Sequence, residues 1–423
     1  MIRLGCIADD ITGAADLAGA IVRSGLSTSL IFGVPSANLR LSPDCEAVVI
    51  ALKSRTASAD ESIELSVSAY KWLQAQGTSR VYIKYCSTFD STPKGNIGPV
   101  SDALMASLGV AQVVHVPSYP ANQRTVYMGH LFVGSSLLSE SGMRDHPLTP
   151  MRDSNLVRVL AAQTPESIGL LTLPVIQKGP ECVEHELANL KNSGIRHVIA
   201  DTIDDADLDT LANGIGRHSL AAGGAAFGAA LASSLAMQND RPKPLQIAAP
   251  YGGRAVIVGS ASETSTRQVK AFAQSWPVYR LTTDQIQATA QDIESIMAWA
   301  SPRLQRGPIM IAADTSKIGV EEASKKYGSE AAAAYIEQTM GRIAICLAQA
   351  NVRSLIVAGG ETSGAVAQSL ELVSVDVGPE ICPGVPWVYA PEREMAIAFK
   401  SGNFGDDDFF MKAFDVLHSQ TGG

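Results

Sequence analysis

The chain has 423 residues, 46% of them hydrophobic and 18% charged, with a net charge of −9. That length and apolar content can bury two cores, whereas an acidic balance without any Lys/Arg run excludes a nucleic-acid partner, whose phosphates demand a basic face. Six cysteines without C-x-x-C spacing exclude a disulfide framework and a structural zinc site.

In chain order, residues 2–8 are an apolar run expected as a buried strand. The run meets Asp9-Asp10 too soon to contain the apolar core of a signal peptide, so a cytoplasmic protein is expected. Asp9-Asp10-Ile11-Thr12-Gly13-Ala14-Ala15-Asp16 leads into a helix over 13–24, marked by Leu17, Ala20 and Ile21 and stopped by Gly25. A strand over 47–52 is followed by polar Lys53-Ser54-Arg55-Thr56 and a helix over 59–76. A strand over 80–85 is followed by Cys86-Ser87-Thr88-Phe89-Asp90 and Lys94-Gly95-Asn96. This βαβαβ alternation predicts a parallel sheet with right-handed crossovers.

Further strands are expected over 112–116, 168–173 and 196–200. Residues 117–155, with Pro117, Pro120, Arg124, His146, Pro147 and Pro150, form a long irregular stretch of a kind that is usually functional or locally structured. Residues 220–237 run without a charge, but they are mostly Ala, Gly and Ser, which contribute little to membrane insertion. A tightly packed helix of a soluble protein is expected there, with no membrane partner. Asn239, Pro242, Pro244, Pro250 and a Gly pair place an interdomain linker at 238–253. The second half repeats the pattern, with strands over 255–258, 309–312, 354–358 and 396–399 and helices over 264–273 and 330–350. The expected architecture is two α/β domains, 1–240 and 254–423, with largely parallel sheets and a ligand cleft between them.

Four loops carry the chemistry. Asp9 and Asp10 stand at the carboxyl end of the first strand, where an open parallel sheet places its ligand. A helix cap needs one such residue, and this segment offers Asp9, Asp10, Thr12 and Asp16. Lys53, Arg55, Lys84, Asp90, Lys94 and Arg124 follow other first-half strands and are suited to holding a small carboxylate. Gly359-Gly360-Glu361-Thr362-Ser363-Gly364 is the strongest phosphate-type turn, because Gly admits close approach to backbone N–H groups while Thr and Ser add donors at a helix start. Gly259-Ser260-Ala261-Ser262 and Ser401-Gly402-Asn403-Phe404-Gly405-Asp406 are weaker versions. There is no G-x-x-x-x-G-K-[ST], no H-R-D and no G-x-S-x-G, Gly214-Ile215-Gly216-Arg217-His218-Ser219 lacks the third Gly of a dinucleotide turn, and seven scattered His show no metal spacing.

On these residues the chain resembles, nearly end to end, the four-carbon acid sugar kinases. Ile7-Ala8-Asp9-Asp10-Ile11-Thr12-Gly13-Ala14 matches the family signature. Lys84-Tyr85-Cys86-Ser87-Thr88-Phe89-Asp90-Ser91-Thr92 and Lys94-Gly95-Asn96-Ile97-Gly98-Pro99 match its 3-oxo-tetronate branch. Arg124-Thr125-Val126-Tyr127, Ala358-Gly359-Gly360-Glu361-Thr362-Ser363-Gly364, Pro383-Gly384-Val385-Pro386-Trp387 and Lys400-Ser401-Gly402-Asn403-Phe404-Gly405 match as well. The resemblance implies an N-terminal domain that binds the acid sugar through Asp9, Asp10, Arg55, Lys84, Asp90 and Arg124. It implies a C-terminal domain that binds ATP through Ser260, Gly360, Glu361, Thr362, Ser363, Gly402 and Gly405.

The implied reaction moves the γ-phosphoryl of Mg²⁺-ATP to the O4 hydroxyl of a four-carbon 3-oxo acid. Asp10 is the first choice for the base that accepts the hydroxyl proton and Asp90 the second; the metal ligands are unassigned. One departure is Gly223-Gly224-Ala225-Ala226, where relatives often carry a small hydroxyl near Ala225. Threonate or erythronate as the substrate, a two-lobed binding protein for a small acid, and a homodimer remain open.

Overall fold

The computed structural model describes residues 2–145, 149–216, 219–236, 249–314 and 317–419. They fall into two compact units, Met1–Lys243 and Pro244–Gly423. Most of the expected linker, residues 238–248, lies outside the described residues, as do His146, Pro147, Arg217 and His218.

The first unit is built on parallel strands β1 (Leu4–Ala8), β2 (Thr28–Phe32), β3 (Ala47–Ala51), β4 (Val81–Lys84) and β5 (Val113–Val116). A short antiparallel sheet follows, made of β6 (Arg124–Tyr127), β7 (His130–Val133) and β8 (Ser136–Leu137). Strands β9 (Ile168–Leu171), β10 (His197–Ala200) and β11 (Leu220–Gly223) return to the main sheet, whose order is β2-β3-β1-β4-β11-β5-β10-β9. Every pairing in it is parallel. All five residues of β1 are buried, as a strand covered by helices on both faces requires. The chain winds outward from β1 to β2, returns through β3, then crosses β1 to β4. That reversal leaves a crevice at the carboxyl ends of β1 and β4, the place where open α/β sheets bind ligands.

Two expectations need correction. Residues 220–237 are not one helix: β11 occupies Leu220–Gly223 and a helix spans Ala225–Ala236, while Met237 is outside the described residues. Uniformly small side chains hide the change of period from 2 to 3.6. The slot between β4 and β5 demands such residues, since a Cβ on Gly223 would stand 2.1 Å from the Val116 carbonyl oxygen. In the following helix Gly228 admits Leu17 and Tyr82 in the same way. The second concerns 117–155, where the expected local structure is present, but as a three-stranded sheet and not as an irregular run. A tight turn at Met128-Gly129, both at positive φ, joins β6 to β7, a geometry matched to hairpin twist. Val126 bridges Thr202, and Asp201 accepts from the Gly129 N–H (2.9 Å), which pins this sheet to the end of β10.

The second unit contains β12 (Gly253–Val258), β13 (Val278–Arg280), β14 (Ile309–Ala312), β15 (Val352–Ala358), β16 (Ser374–Cys382), β17 (Val385–Ala390) and β18 (Met395–Lys400). Its order is β13-β14-β12-β15-β18-β17-β16, parallel as far as β18 and antiparallel beyond. Winding again reverses, here between β12 and β15, so a second crevice opens at their carboxyl ends. Trp387, Phe409, Phe410 and Phe414 pack behind the sheet, and the Trp387 indole donates to the Ala413 carbonyl (2.8 Å). Among the described residues no helix is long and apolar enough to cross a membrane.

Candidate active site

At the first crevice the charged side chains form one network. Arg55 grips Asp9 with two donors, Nε to Oδ2 (2.9 Å) and Nη2 to Oδ1 (2.7 Å), and Nη2 also reaches Asp10 Oδ1 (2.7 Å). Such a fork fixes both position and orientation. Asp10 also caps the helix Ile11–Arg23, accepting from the Gly13 N–H (3.0 Å) and the Thr12 hydroxyl (2.7 Å). Burial pushes Asp10 upward, but Arg55, Lys84 and these donors together outweigh it and hold its pKa below the ordinary value. Burial dominates at Asp9 and raises its pKa despite Arg55.

Lys84, at the end of β4, is buried and donates to the Tyr85 carbonyl (2.8 Å). Asp90 is half-buried and accepts from the Thr88 hydroxyl on Oδ1; Oδ2 has no protein partner among the described residues. Asn96, missed by sequence reasoning as a positioning group, donates through one amide to the carbonyls of Ser54 (2.7 Å), Arg55 (3.3 Å) and Ala57 (3.1 Å) and so fixes the Arg55 loop. Its buried Oδ1 has no partner.

A cavity of about 30 Å³ lies under these strand ends, lined by Asp9, Arg55, Lys84, Tyr85, Asp90 and Asn96 among others. It is large enough to admit a water. Asp10 and Arg124 are not part of its lining. Arg124 opens β6, where its Nη1 donates to the Asn122 carbonyl and its buried Nε has no partner; it makes no hydrogen bond to the other five residues. The structure thus brings together Asp9, Asp10, Arg55, Lys84 and Asp90, and holds Arg124 separately on the small sheet.

At the second crevice three loops meet. Gly359, at φ 125°, is the N-cap of the helix Gly360–Ser369 and offers no side chain to cap it. First-turn N–H groups lack intrahelical acceptors, and Gly360 and Glu361 are exposed there. A Cβ on Gly359 would stand 2.9 Å from Thr362 Oγ1, and one on Gly402 would stand 2.4 Å from Ser260 Oγ, so side chains at these positions would fill the cradle. Ser363 is fully buried and its hydroxyl donates to the Gly359 carbonyl (2.7 Å). It shapes the turn from within, leaving backbone N–H groups to face a ligand.

The Gly402 carbonyl accepts from Ser262 Oγ (2.6 Å), Ser265 Oγ (3.0 Å) and Lys400 Nζ (3.1 Å). Gln268 donates to the carbonyls of Phe404 (3.0 Å), Gly405 (3.0 Å) and Asp406 (2.9 Å), and thereby holds Gly405 at φ 79°. Burial lowers Lys400 to a pKa of about 8. Sequence reasoning missed Ser262, Ser265, Gln268 and Lys400 as site residues. Lys400 and Ser262 lie inside the loops it quoted, whereas Gln268 looks like any polar helical residue.

Comparison with known proteins divides the chain in the same way. Residues 4–231 match the family model of a sugar-binding N-terminal domain, and residues 255–410 that of a nucleotide-binding C-terminal domain. A 3-oxo-tetronate kinase of Pseudomonas fluorescens is 43% identical over 419 residues, covering 98% of this chain and 97% of its own. One from Haemophilus influenzae is 40% identical over 410 residues, covering 96% and 98%. Among solved structures, a Salmonella typhimurium LT2 protein provisionally named as a tRNA synthase superposes with a TM-score of 0.87 at 37% identity, covering 98% of this chain and 99% of its own. A Haemophilus influenzae protein of the DUF1537 family superposes with a TM-score of 0.80 at 39% identity, covering 98% and 100%.

Proposed function

The chain belongs to the four-carbon acid sugar kinase family, and on that premise we propose that it is an ATP-dependent kinase that phosphorylates the O4 hydroxyl of a four-carbon 3-oxo sugar acid. The observation that carries this reading is the pairing of two different switch-point sites in one chain. One is cationic and carboxylate-bearing; the other is a glycine-lined helix start.

The residues of the second site fit a phosphate chain. The open first turn of Gly360–Ser369, the Ser260 loop and the Gly402–Gly405 loop present backbone donors, and Lys400 adds charge beneath them. Bound ATP with Mg²⁺ supplies the phosphoryl group and neutralises its charge. In such sites the ion is held largely by nucleotide phosphates, and no cluster of three His, Cys, Asp or Glu is present among the described residues.

The chain's own residues bind, orient and accept a proton. Arg55 and Lys84 attract the acid's carboxylate, and Arg124 supplies a further donor from the small sheet. The Arg55 fork on Asp9 keeps that wall rigid. Asp90 is the better proton acceptor, because it lines the cavity and one of its oxygens has no protein partner among the described residues, whereas Asp10 is occupied by Arg55, Thr12 and Gly13. The order expected from sequence is therefore reversed in this proposal. Asp10 acts as helix cap and as anchor for Arg55.

The test is a panel of coupled ADP-release assays with 3-oxo-tetronates, threonate and erythronate in both enantiomeric series. Turnover restricted to a 3-oxo acid is expected. Turnover only with threonate or erythronate would move the substrate within the family, and saturable acid binding without turnover would point to a binding protein.

A further inference from the structure

Behind the acid-sugar cavity, on the same face of the first sheet, lies a hydrogen-bonded chain that the reaction as derived so far does not use. Tyr85, which lines the cavity, contacts His115 of β5 through its hydroxyl (to Nδ1, 3.2 Å). His115 Nε2 contacts His197 Nδ1 of β10 (3.1 Å), with the two rings nearly parallel at 10°. His197 Nε2 contacts Asp102 Oδ1 (2.7 Å), on the helix Ile97–Leu108, and Thr164 donates to the other Asp102 oxygen (2.6 Å). Both imidazoles are fully buried, while 28% of the Asp102 side chain is exposed.

Elementary donor and acceptor rules give the chain one polarity. A carboxylate only accepts, so His197 carries its proton on Nε2, and a neutral His197 then accepts on Nδ1. His115 must therefore donate from Nε2 and accept on Nδ1, which makes Tyr85 the donor at the inner end. Burial and the neighbouring His197 hold His115 well below the ordinary pKa, in keeping with a neutral ring. Phe89 packs edge-on against Tyr85 and lies at 71° to His115, closing the chain off from water at that side. A buried row of this kind costs desolvation for every polar atom and is stable only when each one is satisfied. A Tyr–His–His row could be replaced by apolar residues if it served packing alone.

We propose that Tyr85, His115, His197 and Asp102 form a relay that carries the proton released from the substrate hydroxyl out of the acid-sugar cavity to solvent. The inference rests on the kinase reading above. Phosphorylating a hydroxyl leaves its proton on the accepting carboxylate, and that carboxylate must lose it before the next turnover. The proton passes by way of water in the cavity to the Tyr85 oxygen, and Tyr85 gives its own to His115 Nδ1. His115 gives its Nε2 proton to His197 Nδ1, and His197 gives its Nε2 proton to Asp102, which releases it to bulk water. Each intermediate group gains one proton and loses one, so no charge accumulates in the core; the pass leaves both imidazoles as Nδ1–H, and a reverse pass, from Asp102 to cavity water once product has left, restores the Nε2–H form. These four are positioning and relay residues; none is required to touch the transferred group.

The experiment compares the unsubstituted enzyme with Asp102→Asn and His197→Gln. Asparagine can still accept from His197 Nε2 but cannot take up a proton. We expect Asp102→Asn to lower kcat at least about tenfold, a fraction of what a general base contributes, with KM for acid and ATP unchanged and a larger solvent deuterium isotope effect on kcat. Side-chain ¹⁵N spectra of the unsubstituted protein should place both imidazoles in the Nε2–H form. Unchanged kcat and isotope effect in folded Asp102→Asn, or a different tautomer at either histidine, overturns the relay. Absence of turnover in the unsubstituted enzyme on every four-carbon acid overturns the kinase reading first, and the relay's role with it.

Discussion

Among single residues, the carboxylate left available decides where the substrate proton goes. Asp10 is surrounded by donors and Asp90 is not. Asp90→Asn is expected to reduce kcat by about 10²–10⁴, the usual contribution of a positioned base, with little change in the KM for ATP; steady-state kinetics in both substrates check this. Asp10→Ala should cost about 1 kcal/mol of stability by thermal or urea unfolding, whereas Asp10→Asn, an equally good cap, should keep most of it. Lys400 makes a pH prediction. Its pKa falls from 10.5 to about 8 through burial, opposed by Cys382, and a bound phosphate chain would raise it again. ATP binding therefore takes up a proton above pH 8, and the affinity should weaken with rising pH, by up to about tenfold per unit. Titration calorimetry of Lys400→Met should show weaker binding with this slope removed. Asp9 and Asp10 were legible because a strand end is legible. Asn96, Gln268 and the two buried histidines were not, since their partners lie between 30 and 138 residues away along the chain.

At the scale of elements, most strands and several helices announce themselves by apolar runs and glycine stops, and β1, β3, β4, β12, β14, β15 and β18 lie where the pattern puts them. The failures have separate causes. β11 is disguised by its Ala/Gly composition. The helix Ile97–Leu108 begins within a segment that resembles a loop because its N-cap, Asn96, spends its side chain on another loop. The helix start at Gly359 is the element to which the proposed function assigns the nucleotide phosphates. Gly359→Ala introduces a Cβ at φ 125°, 2.9 Å from Thr362 Oγ1 and 3.3 Å from the Ser260 nitrogen. A non-glycine residue in such a conformation costs about 1–3 kcal/mol. A lower unfolding midpoint and at least tenfold weaker ATP binding are expected, with acid binding retained; calorimetric titration of each ligand separates the two effects.

At the scale of the molecule, the chain repeats one physical device with two chemistries. Each unit reverses its winding beside its first strand, and each reversal opens a crevice at the strand ends. The first crevice holds carboxylates and cations, suited to the proposed polar acid; the second holds glycines and a bare helix start, suited to the proposed phosphates. Sequence alone conveyed this division because the two sets of loops differ in composition. The proposed function requires phosphoryl transfer from ATP to a terminal hydroxyl. The most direct measurement is the ³¹P NMR spectrum of the enzyme incubated with Mg²⁺-ATP and a 3-oxo-tetronate. One new phosphate monoester, coupled to the C4 protons and formed in equal amount with ADP, is expected. ADP accompanied only by inorganic phosphate, or a monoester at another carbon, would contradict the proposed function.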